Sequence, residues 1–340
     1  TPPDGQLRRA ARHYFGRENL RRYAPDPAGR AELRHRIAGH YRAAGVPVTA
    51  DGVVITASAS ESYSHIFASL CAPGSRVLLP RPGYPLFEDV AARHGLHADF
   101  YDQRPDGRKG LAGRWRLDVE QLAAVITPEA RGIVLITPNN PTGHIASEEE
   151  ITRVMALCRR HELFLIVDEV FSRAVFGTGS IPRPAALSPD VLTFTINGVS
   201  KLFASPDLKV SWIAVTGDEQ RRDAAIESLQ VHNDLFLSSS ALSQYLAEHL
   251  LAHGWGFTES MRRKIAERRA LALDMLAMIP GLRVIPPEGG IHLPLLLERD
   301  EWPEGVDDEA LAILLLRDYK LAVHPGYLYG FAEPALVMSY

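Results

Sequence analysis

The sequence predicts an α/β fold in which a mostly parallel sheet is sandwiched by helices, with a smaller α+β domain beside it. Short, continuous apolar segments alternate with amphipathic helical segments as far as residue 232, a pattern typical of parallel strands covered on both faces. Small and turn-forming residues separate many of these segments. The chain has 340 residues, more than one hydrophobic core usually contains, so a second domain is expected.

The elements of the predicted sheet follow from the spacing of apolar residues. Continuous apolar segments predict strands at 53–56, 76–79, 98–101, 132–137, 163–167, 191–196 and 212–215. Apolar residues at helical spacing predict helices at 6–14, 30–41, 86–94, 119–126, 147–162 and 219–229, and a further helix through Tyr63, Phe67 and Leu70. The proline-rich segment 21–29 and the polar segment 106–114 are predicted to be loops.

The last third of the chain has a different pattern. One long helix is predicted at 241–278, followed by strands at 282–285 and 290–297, a helix at 308–316 and a strand at 321–323. We therefore predict a large domain at 30–245 and a small domain made from 1–29 and 246–340. No internal repeat or low-complexity segment interrupts this organisation.

Composition and charge exclude several classes of function. The hydrophobic content of 46% and the charged content of 23% are typical of a globular protein, and the net charge of −4 gives no electrostatic reason to bind nucleic acid or an anionic membrane. The longest apolar segments are shorter than the roughly 18 residues of a membrane span, and no signal peptide opens the chain. Cys71 and Cys158 are far apart, and no Cys/His cluster occurs, so neither a disulfide framework nor a metal site is expected. These features predict a cytoplasmic location.

Polar residues follow several predicted strands, at the edge where ligands of parallel sheets collect. Ala59, Ser60 and Glu61 open a helix after the strand at 53–56, and the backbone N–H groups there could bind a phosphate, although a simple helix cap by Ser58 or Ser60 explains the same residues. Asp168 ends the apolar strand at 163–167, where a carboxylate is costly unless it has a partner.

Lys201 follows the strand at 191–196, on a predicted turn before the strand at 212–215. A lysine on a turn is usually a solvated surface charge. Lysine is also the side chain that forms a covalent bond with a carbonyl group once its amine is deprotonated.

Five segments in this order make the chain resemble the class I/II pyridoxal-phosphate-dependent aminotransferases of fold type I. They are the helix start at 59–61, P-G-Y-P at 82–85, N-N-P-T-G at 139–143, D-E at 168–169, and S-K at 200–201 with a second cation at Lys209. The resemblance covers roughly residues 23–323 and implies pyridoxal 5'-phosphate as the cofactor, and an amino acid and a 2-oxo acid as substrates.

The resemblance also implies roles for individual residues. Lys201 would hold the cofactor as an internal aldimine, and Asp168 would keep the pyridine nitrogen protonated. Tyr84 would stack on the ring, and Asn140 would bind its phenolic oxygen. The residues expected near the phosphate or the ring edge are Ala59, Ser60, Glu61, Phe171, Asn197, Ser200 and Lys209. A homodimer is expected, with Tyr23 and Ser239 reaching the neighbouring subunit's cofactor.

The chain departs from the family pattern at three positions. Phe171 stands where most members have a tyrosine, and Lys209 stands where they have an arginine. Val337 stands where an arginine usually binds the substrate's α-carboxylate. The family's N-terminal arm and last helix also have no counterpart among the 340 residues, and we expect residues outside this sequence to supply them.

These features predict an aminotransferase, with two alternatives. The first keeps the same cofactor but catalyses elimination, cyclisation or oxidation of an amino acid, which the changes at Val337 and Phe171 favour. The second is a non-catalytic regulatory or binding domain, which has no use for the combination of Lys201, Asp168 and Asn140.

Overall fold

The computed structural model describes residues 4–16, 25–106, 113–177, 181–237, 239–298 and 307–340. Eight strands form the main sheet in the order β1-β8-β7-β6-β5-β2-β3-β4. Their bounds are β1 Val53–Thr56, β2 Arg76–Arg81, β3 His97–Pro105, β4 Trp115–Leu117, β5 Ala130–Ile136, β6 Phe164–Asp168, β7 Thr193–Gly198 and β8 Ser211–Thr216. The predicted α/β fold with a mostly parallel sheet is confirmed.

Helices cover both faces of this sheet and extend into the second half of the chain. Their bounds are α1 Asp4–Phe15, α2 Ala31–Arg42, α3 Ala59–Leu70, α4 Leu86–Arg93, α5 Val119–Ala124, α6 Glu148–His161, α7 Pro184–Leu187, α8 Val199–Leu202, α9 Glu219–Phe236, α10 Ala241–His253, α11 Trp255–Leu276 and α12 Asp308–Tyr319. Residues of α3, α4 and α9 pack on one face of the sheet, and residues of α5 and α6 pack on the other.

Strand directions bring the loops that matter to one edge of the main sheet. β3, β2, β5, β6 and β7 are parallel neighbours, so their carboxyl ends lie together. β8 is antiparallel to both β7 and β1, and β1 therefore points the same way as β7. The segments that follow β1, β2, β5, β6 and β7, and the one that precedes β8, consequently meet at the same edge.

The second sheet has four antiparallel strands in the order β11-β12-β10-β9. Their bounds are β9 Leu282–Val284, β10 His292–Leu297, β11 His324–Pro325 and β12 Ala335–Ser339. Leu293, Leu295 and Leu336 on one face pack with residues of α11 and α12. The predicted domain boundary at residue 245 falls within α10, whose Ala247 and Leu250 pack with the edge of the main sheet.

The long helix predicted at 241–278 was wrong, because two helices, α10 and α11, meet at Gly254. A Cβ at this position would lie 2.7 Å from the Leu250 carbonyl oxygen and 2.8 Å from the Phe203 ring. The missing side chain therefore lets the junction press against Phe203, and Trp255 contacts the same ring with a centroid distance of 5.2 Å. Tertiary packing divides a segment whose periodicity is continuous.

Other differences are local. The strand predicted at 321–323 begins only at His324, because Lys320 adopts a left-handed conformation that ends α12 and Leu321 N–H bonds to Leu315 O. β4 and α7 were not predicted, and Lys201 lies in the short helix α8 rather than on a turn. Most of the predicted loop at 106–114 lies outside the described residues.

Two features are absent from the part of the chain that the structure describes. None of its helices combines the length and the apolar character that a membrane span requires. None of its His, Cys, Asp and Glu side chains cluster in a way that could hold a metal ion.

A buried ion cluster joins the two sheets. His144, in the turn after β5, lies 3.2 Å from Glu150 through Nε2 and 3.4 Å from Glu288 through Nδ1. Burial opposes protonation of His144, but the two carboxylates outweigh this effect and raise the pKa of the imidazole. Burial also opposes ionisation of Glu150, yet hydrogen bonds and the charge of His144 hold its pKa at about 2. Since Glu288 precedes β10, the cluster ties the small sheet to the main one.

The cluster predicts a pH-dependent contribution to stability. A histidine with a raised pKa stabilises the fold fully below its unfolded value of about 6.5, and the contribution is lost as the pH rises through the folded pKa. Glu150 and Glu288, with lowered pKa values, stay ionised well below pH 6. His144→Gln should therefore destabilise the protein by about 3 kcal/mol at pH 6 and by clearly less at pH 9, measured as thermal midpoints at both pH values.

A control variant separates this effect from the loss of any ion pair. Arg153→Gln breaks an exposed pair with Glu120 and should cost less than about 1 kcal/mol at either pH. A loss for His144→Gln that is the same at pH 6 and pH 9 would contradict the charged state assigned to the cluster.

Candidate active site

Asp168 occupies the centre of the carboxyl edge of the main sheet. Its strand, β6, lies between β5 and β7, and Thr137 N–H donates to the Asp168 carbonyl oxygen at 3.0 Å. The residue is only 4% exposed, and burial raises the pKa of its carboxyl group to about 6. Two hydrogen bonds oppose that rise, from Val170 N–H at 3.0 Å and from the Tyr63 hydroxyl at 3.2 Å.

Lys201 lies on the neighbouring strand end, in α8 directly after β7. Its side chain is exposed, and its Nζ is 5.9 Å from the centroid of the Phe171 ring. No carboxylate among the described residues lies within ion-pair distance of this amine. A lysine that points past a buried aromatic ring, without a structural acid beside it, is available for chemistry.

The backbone that carries Lys201 is held by close packing. A Cβ at Gly198 would lie 2.3 Å from Ser211 Oγ, so only glycine fits between β7 and β8 at this point. Asn197 precedes it and donates to Glu169 O at 2.8 Å and to Ser172 Oγ at 3.0 Å, while its own oxygen accepts from Gly198 N–H. Both amide hydrogens of Asn197 are therefore used within the protein, and the contacts tie the start of α8 to the segment after β6.

Asn140 lies in the turn at 139–143, which follows β5. Since β5 and β7 flank β6, Asn140 and Lys201 lie on opposite sides of β6. Asn139 is buried and structural, since its Oδ1 accepts from Thr142 and its Nδ2 donates to Pro82 O at 3.4 Å. The Oδ1 of Asn140 is buried and has no hydrogen-bond partner among the described residues. A buried amide with unused hydrogen-bonding capacity at a ligand edge is suited to a bound polar group.

Tyr84 follows β2 at the same edge and is half-buried. Its ring meets Phe87 edge-on at a centroid distance of 5.1 Å. Burial, and secondly the charge of Asp168, raises the pKa of its phenol. Since β2 lies two strands from β6, Tyr84 and Asp168 both follow strands at the same edge of the sheet.

A candidate anion site lies where β1 meets β8. Ser58 caps α3 by accepting from Glu61 N–H at 3.1 Å, and the Glu61 carboxylate accepts from Ala57 N–H. The N–H groups of Ala59 and Ser60 have no partner among the described residues, so they stay available at the positive end of the helix. Thr56 pairs with Ser211, which brings α3 close to Lys209, whose ammonium is exposed. The half-buried Ser200 lies in α8 at the same edge.

The small sheet closes the site with the face that carries His292, Pro294 and Val337. His292 on β10 meets Phe171 edge-on at 5.9 Å, and its cross-strand partner is Ser339. Val337, which is 2% exposed, lies opposite Pro294 and His324, and alternation along the strands puts these residues on the same face as His292. Burial, then the charges of Lys201 and His324, lowers the pKa of His292 to about 4. This imidazole is therefore neutral at neutral pH.

Two residues expected to reach a neighbouring subunit give different outcomes. Tyr23 lies outside the described residues. Ser239 is half-buried before α10, and its buried hydroxyl oxygen has no hydrogen-bond partner in the part of the chain that the structure describes.

Tyr63 was not predicted as a site residue. Its spacing with Phe67 and Leu70 fits the buried face of α3, and the sequence gives it no other signal. The position of Asp168 is what points to Tyr63. A carboxylate at the end of a buried strand needs hydrogen-bond donors, and a tyrosine on the adjacent helix supplies one.

A comparison with protein families decides the assignment of the chain. The family described as aminotransferase class I and II matches residues 3–337. The chain belongs to this family. The resemblance identified from the sequence is confirmed, and the chain is a member of a family of aminotransferases.

Named relatives agree with this assignment. Glutamate-pyruvate aminotransferase AlaA of Escherichia coli K12 is 27% identical over 314 residues, which cover 91% of this chain and 75% of the relative. Human tyrosine aminotransferase is 26% identical over 335 residues, which cover 97% of this chain and 72% of the relative.

Solved structures confirm the fold. An alanine aminotransferase from Pyrococcus furiosus superimposes with a TM-score of 0.91 at 23% identity, covering 100% of this aminotransferase and 84% of the other chain. A double mutant of Thermus thermophilus aspartate aminotransferase gives a TM-score of 0.85 at 23% identity, covering 100% and 84% of the two chains. The fold type I architecture expected from the sequence is therefore present.

Proposed function

We propose that this chain is a pyridoxal-phosphate-dependent aminotransferase in which Lys201 and Asp168 act on the same bound cofactor. The proposal rests on the positions of Lys201 and Asp168 after the adjacent strands β7 and β6. Among the described residues, neither side chain has an ionic partner. Lys201 offers an amine without an acid partner, and Asp168 offers a buried carboxylate without a cation partner among the described residues.

The residues at the edge of the main sheet fit pyridoxal 5'-phosphate. Asp168 matches a protonated pyridine nitrogen, and the orphaned Oδ1 of Asn140 marks an amide free to bind the ring's phenolic oxygen once the amide is suitably oriented. The free N–H groups of Ala59 and Ser60, with Lys209 and Ser200 nearby, match a phosphate. Tyr84 and Phe171 supply aromatic surfaces for the ring. Asn197 stabilises the segment after β6 through both of its amide hydrogens, so it has none left to donate to the cofactor.

The cofactor supplies an aldehyde that condenses with primary amines and a pyridinium ring that withdraws electrons from the carbon being deprotonated. Lys201 Nζ would hold the cofactor covalently between turnovers and, as a free amine, would be the base that removes the Cα proton of the amino acid. Asp168 remains an anion and keeps a proton on the ring nitrogen. Phe171 and His292, which meet edge-on between the two sheets, exclude water from that side.

The proposed substrates are an amino acid and a 2-oxo acid. The relatives are named for glutamate and pyruvate and for tyrosine, which makes these compounds the first to test. Val337 puts no cation where the family's arginine stands, so we propose that other groups of the site bind the α-carboxylate. This feature and Phe171 favour a second candidate function, the elimination, cyclisation or oxidation of an amino acid with the same cofactor.

A cytoplasmic homodimer is also part of the proposal. Support for a second copy comes from the carboxyl end of α9, where Leu235, Phe236 and Leu237 are 69%, 76% and 60% exposed. Consecutive exposed apolar side chains of this size are typical of a contact surface. They lie next to Ser239, which the family resemblance assigns to a contact with the neighbouring subunit.

Covalent capture tests the role of Lys201. Borohydride treatment of the purified yellow protein should abolish the visible band and leave the cofactor attached to the peptide that contains Lys201, identified by mass spectrometry. Lys201→Ala should show no such attachment, whereas Lys320→Ala, which removes an exposed amine bonded to Arg317 O, should behave like the wild type. Attachment at another lysine in the wild type would overturn the assignment.

Half-reactions distinguish the two candidate functions. L-alanine, L-glutamate and L-tyrosine should each be mixed with the cofactor-loaded protein in the absence of a 2-oxo acid. An aminotransferase converts the cofactor to its pyridoxamine form and releases the matching 2-oxo acid without ammonia. Release of ammonia with no pyridoxamine form would support the second candidate, and a spectrum that no amino acid alters would leave neither standing for these substrates.

The exposed surface of α9 predicts the effect of a charge on assembly. Phe236→Glu places a carboxylate in the proposed contact and should shift the protein towards a monomer in light scattering, because burying an unpaired charge costs several kcal/mol. Tyr319→Glu is a control, since Tyr319 is similarly exposed, at 72%, at the end of α12. An unchanged dimer in both variants would remove α9 from the interface.

A further inference from the structure

Tyr63 donates a hydrogen bond to the carboxylate of Asp168. It lies on α3 and is 0% exposed, and its hydroxyl donates to Asp168 Oδ2 at 3.2 Å across 105 residues of sequence. No other hydrogen bond of this hydroxyl occurs in the described structure. Its only polar contact is thus with the carboxylate at the centre of the site.

The ring of Tyr63 cannot leave this position easily. Phe87 lies 4.2 Å away and Phe67 lies 6.0 Å away, measured between ring centroids. Since both neighbours belong to the same tightly packed core, the hydroxyl is fixed in place by the packing of its ring.

Asp168 receives one donor on each oxygen. Val170 N–H bonds to Oδ1 and Tyr63 bonds to Oδ2, and no lysine or arginine of the described residues pairs with the carboxylate. The backbone donor alone would fix one oxygen and leave the other free to turn. With both donors the plane of the carboxylate is set, and the remaining lone pairs are free for a ligand.

We propose that Tyr63 is a positioning residue, whose hydroxyl holds the Asp168 carboxylate ionised and oriented towards the protonated ring nitrogen of the bound cofactor. This inference rests on the proposed function. Tyr63 does not exchange protons itself, because burial and then the negative charge of Asp168 raise the pKa of its phenol well above the ordinary value. It therefore remains a donor across the working pH range.

The direction of the effect follows from the charge that the hydrogen bond stabilises. A donor to a carboxylate favours the ionised form and lowers the pKa of the acid. Burial already raises the pKa of Asp168 to about 6. Without the hydroxyl of Tyr63 the pKa rises further, so that a larger fraction of Asp168 is protonated at neutral pH and cannot pair with a protonated nitrogen.

The test compares two tyrosine-to-phenylalanine variants of the cofactor-loaded protein. Tyr63→Phe deletes one oxygen at Asp168. Tyr101→Phe deletes the same atom from an equally buried tyrosine whose hydroxyl donates to Val134 O at 2.6 Å. The measured quantity is the dissociation constant of pyridoxal 5'-phosphate from pH 5.5 to pH 9, followed by the visible absorbance, with thermal midpoints recorded for both variants.

Tyr63→Phe should weaken cofactor binding about tenfold at pH 7.5, the magnitude of one hydrogen bond to a charged group. Cofactor affinity is expected to fall at low pH, and Tyr63→Phe should shift the midpoint of this fall to a higher pH. Tyr101→Phe should leave both quantities unchanged although it loses a buried hydrogen bond. Wild-type affinity and midpoint in Tyr63→Phe would overturn the proposal and reduce Tyr63 to a core residue.

A double-mutant cycle supplies a second readout. In an Asp168→Asn background, Tyr63→Phe should change cofactor affinity by less than about twofold, because the charge that the hydroxyl stabilises is gone. An undiminished effect there would show that Tyr63 acts through another group. A wild-type protein that binds no pyridoxal 5'-phosphate at all would instead refute the proposed function, so the two failures are distinguishable.

Discussion

The structure depends on one constraint, a carboxylate buried at the end of a central strand with no cation among the described residues to neutralise it. Asp168 is held by a backbone N–H and by the hydroxyl of Tyr63, and burial still raises its pKa to about 6. A protein retains such an acid when a ligand completes its environment. The strand order places Asn140 on one side of Asp168 and Lys201 on the other, which is why we propose that one ligand contacts both the acid and the amine.

The small sheet contributes shape rather than charge. Gly143 accepts hydrogen bonds from Glu288 and Gly289, and a side chain at Gly143 would collide with the Gly289 carbonyl oxygen at 2.4 Å, so the two sheets approach as closely as backbones allow. His144 reinforces this junction with its two carboxylate partners. The wall that faces Phe171 is thereby fixed in place, and its neutral His292 and buried Val337 make it differ from a wall built to bind a carboxylate by charge.

Much of the fold could be predicted because strands that are buried on both faces leave a strong local signal. β1 has the predicted bounds, and β6 differs by one residue at each end, since both are continuous apolar runs. The rule that the carboxyl ends of parallel strands lie together predicted one shared edge for Asp168, Asn140 and Lys201. The role of Tyr63 depends on how α3 packs against β6, and the break at Gly254 depends on Phe203, so neither has a local signal. The full use of Asn197 within the protein is likewise visible only in three dimensions.

The most direct test of the account is a crystal structure of the protein with pyridoxal 5'-phosphate. The account predicts one ring with Lys201 Nζ covalently bound at one end and Asp168 within about 3 Å of the nitrogen at the other, the distance of a charge-assisted hydrogen bond. The phosphate should lie at the start of α3 near Lys209. A ring bound elsewhere, or Lys201 and Asp168 lining separate cavities, would contradict the account.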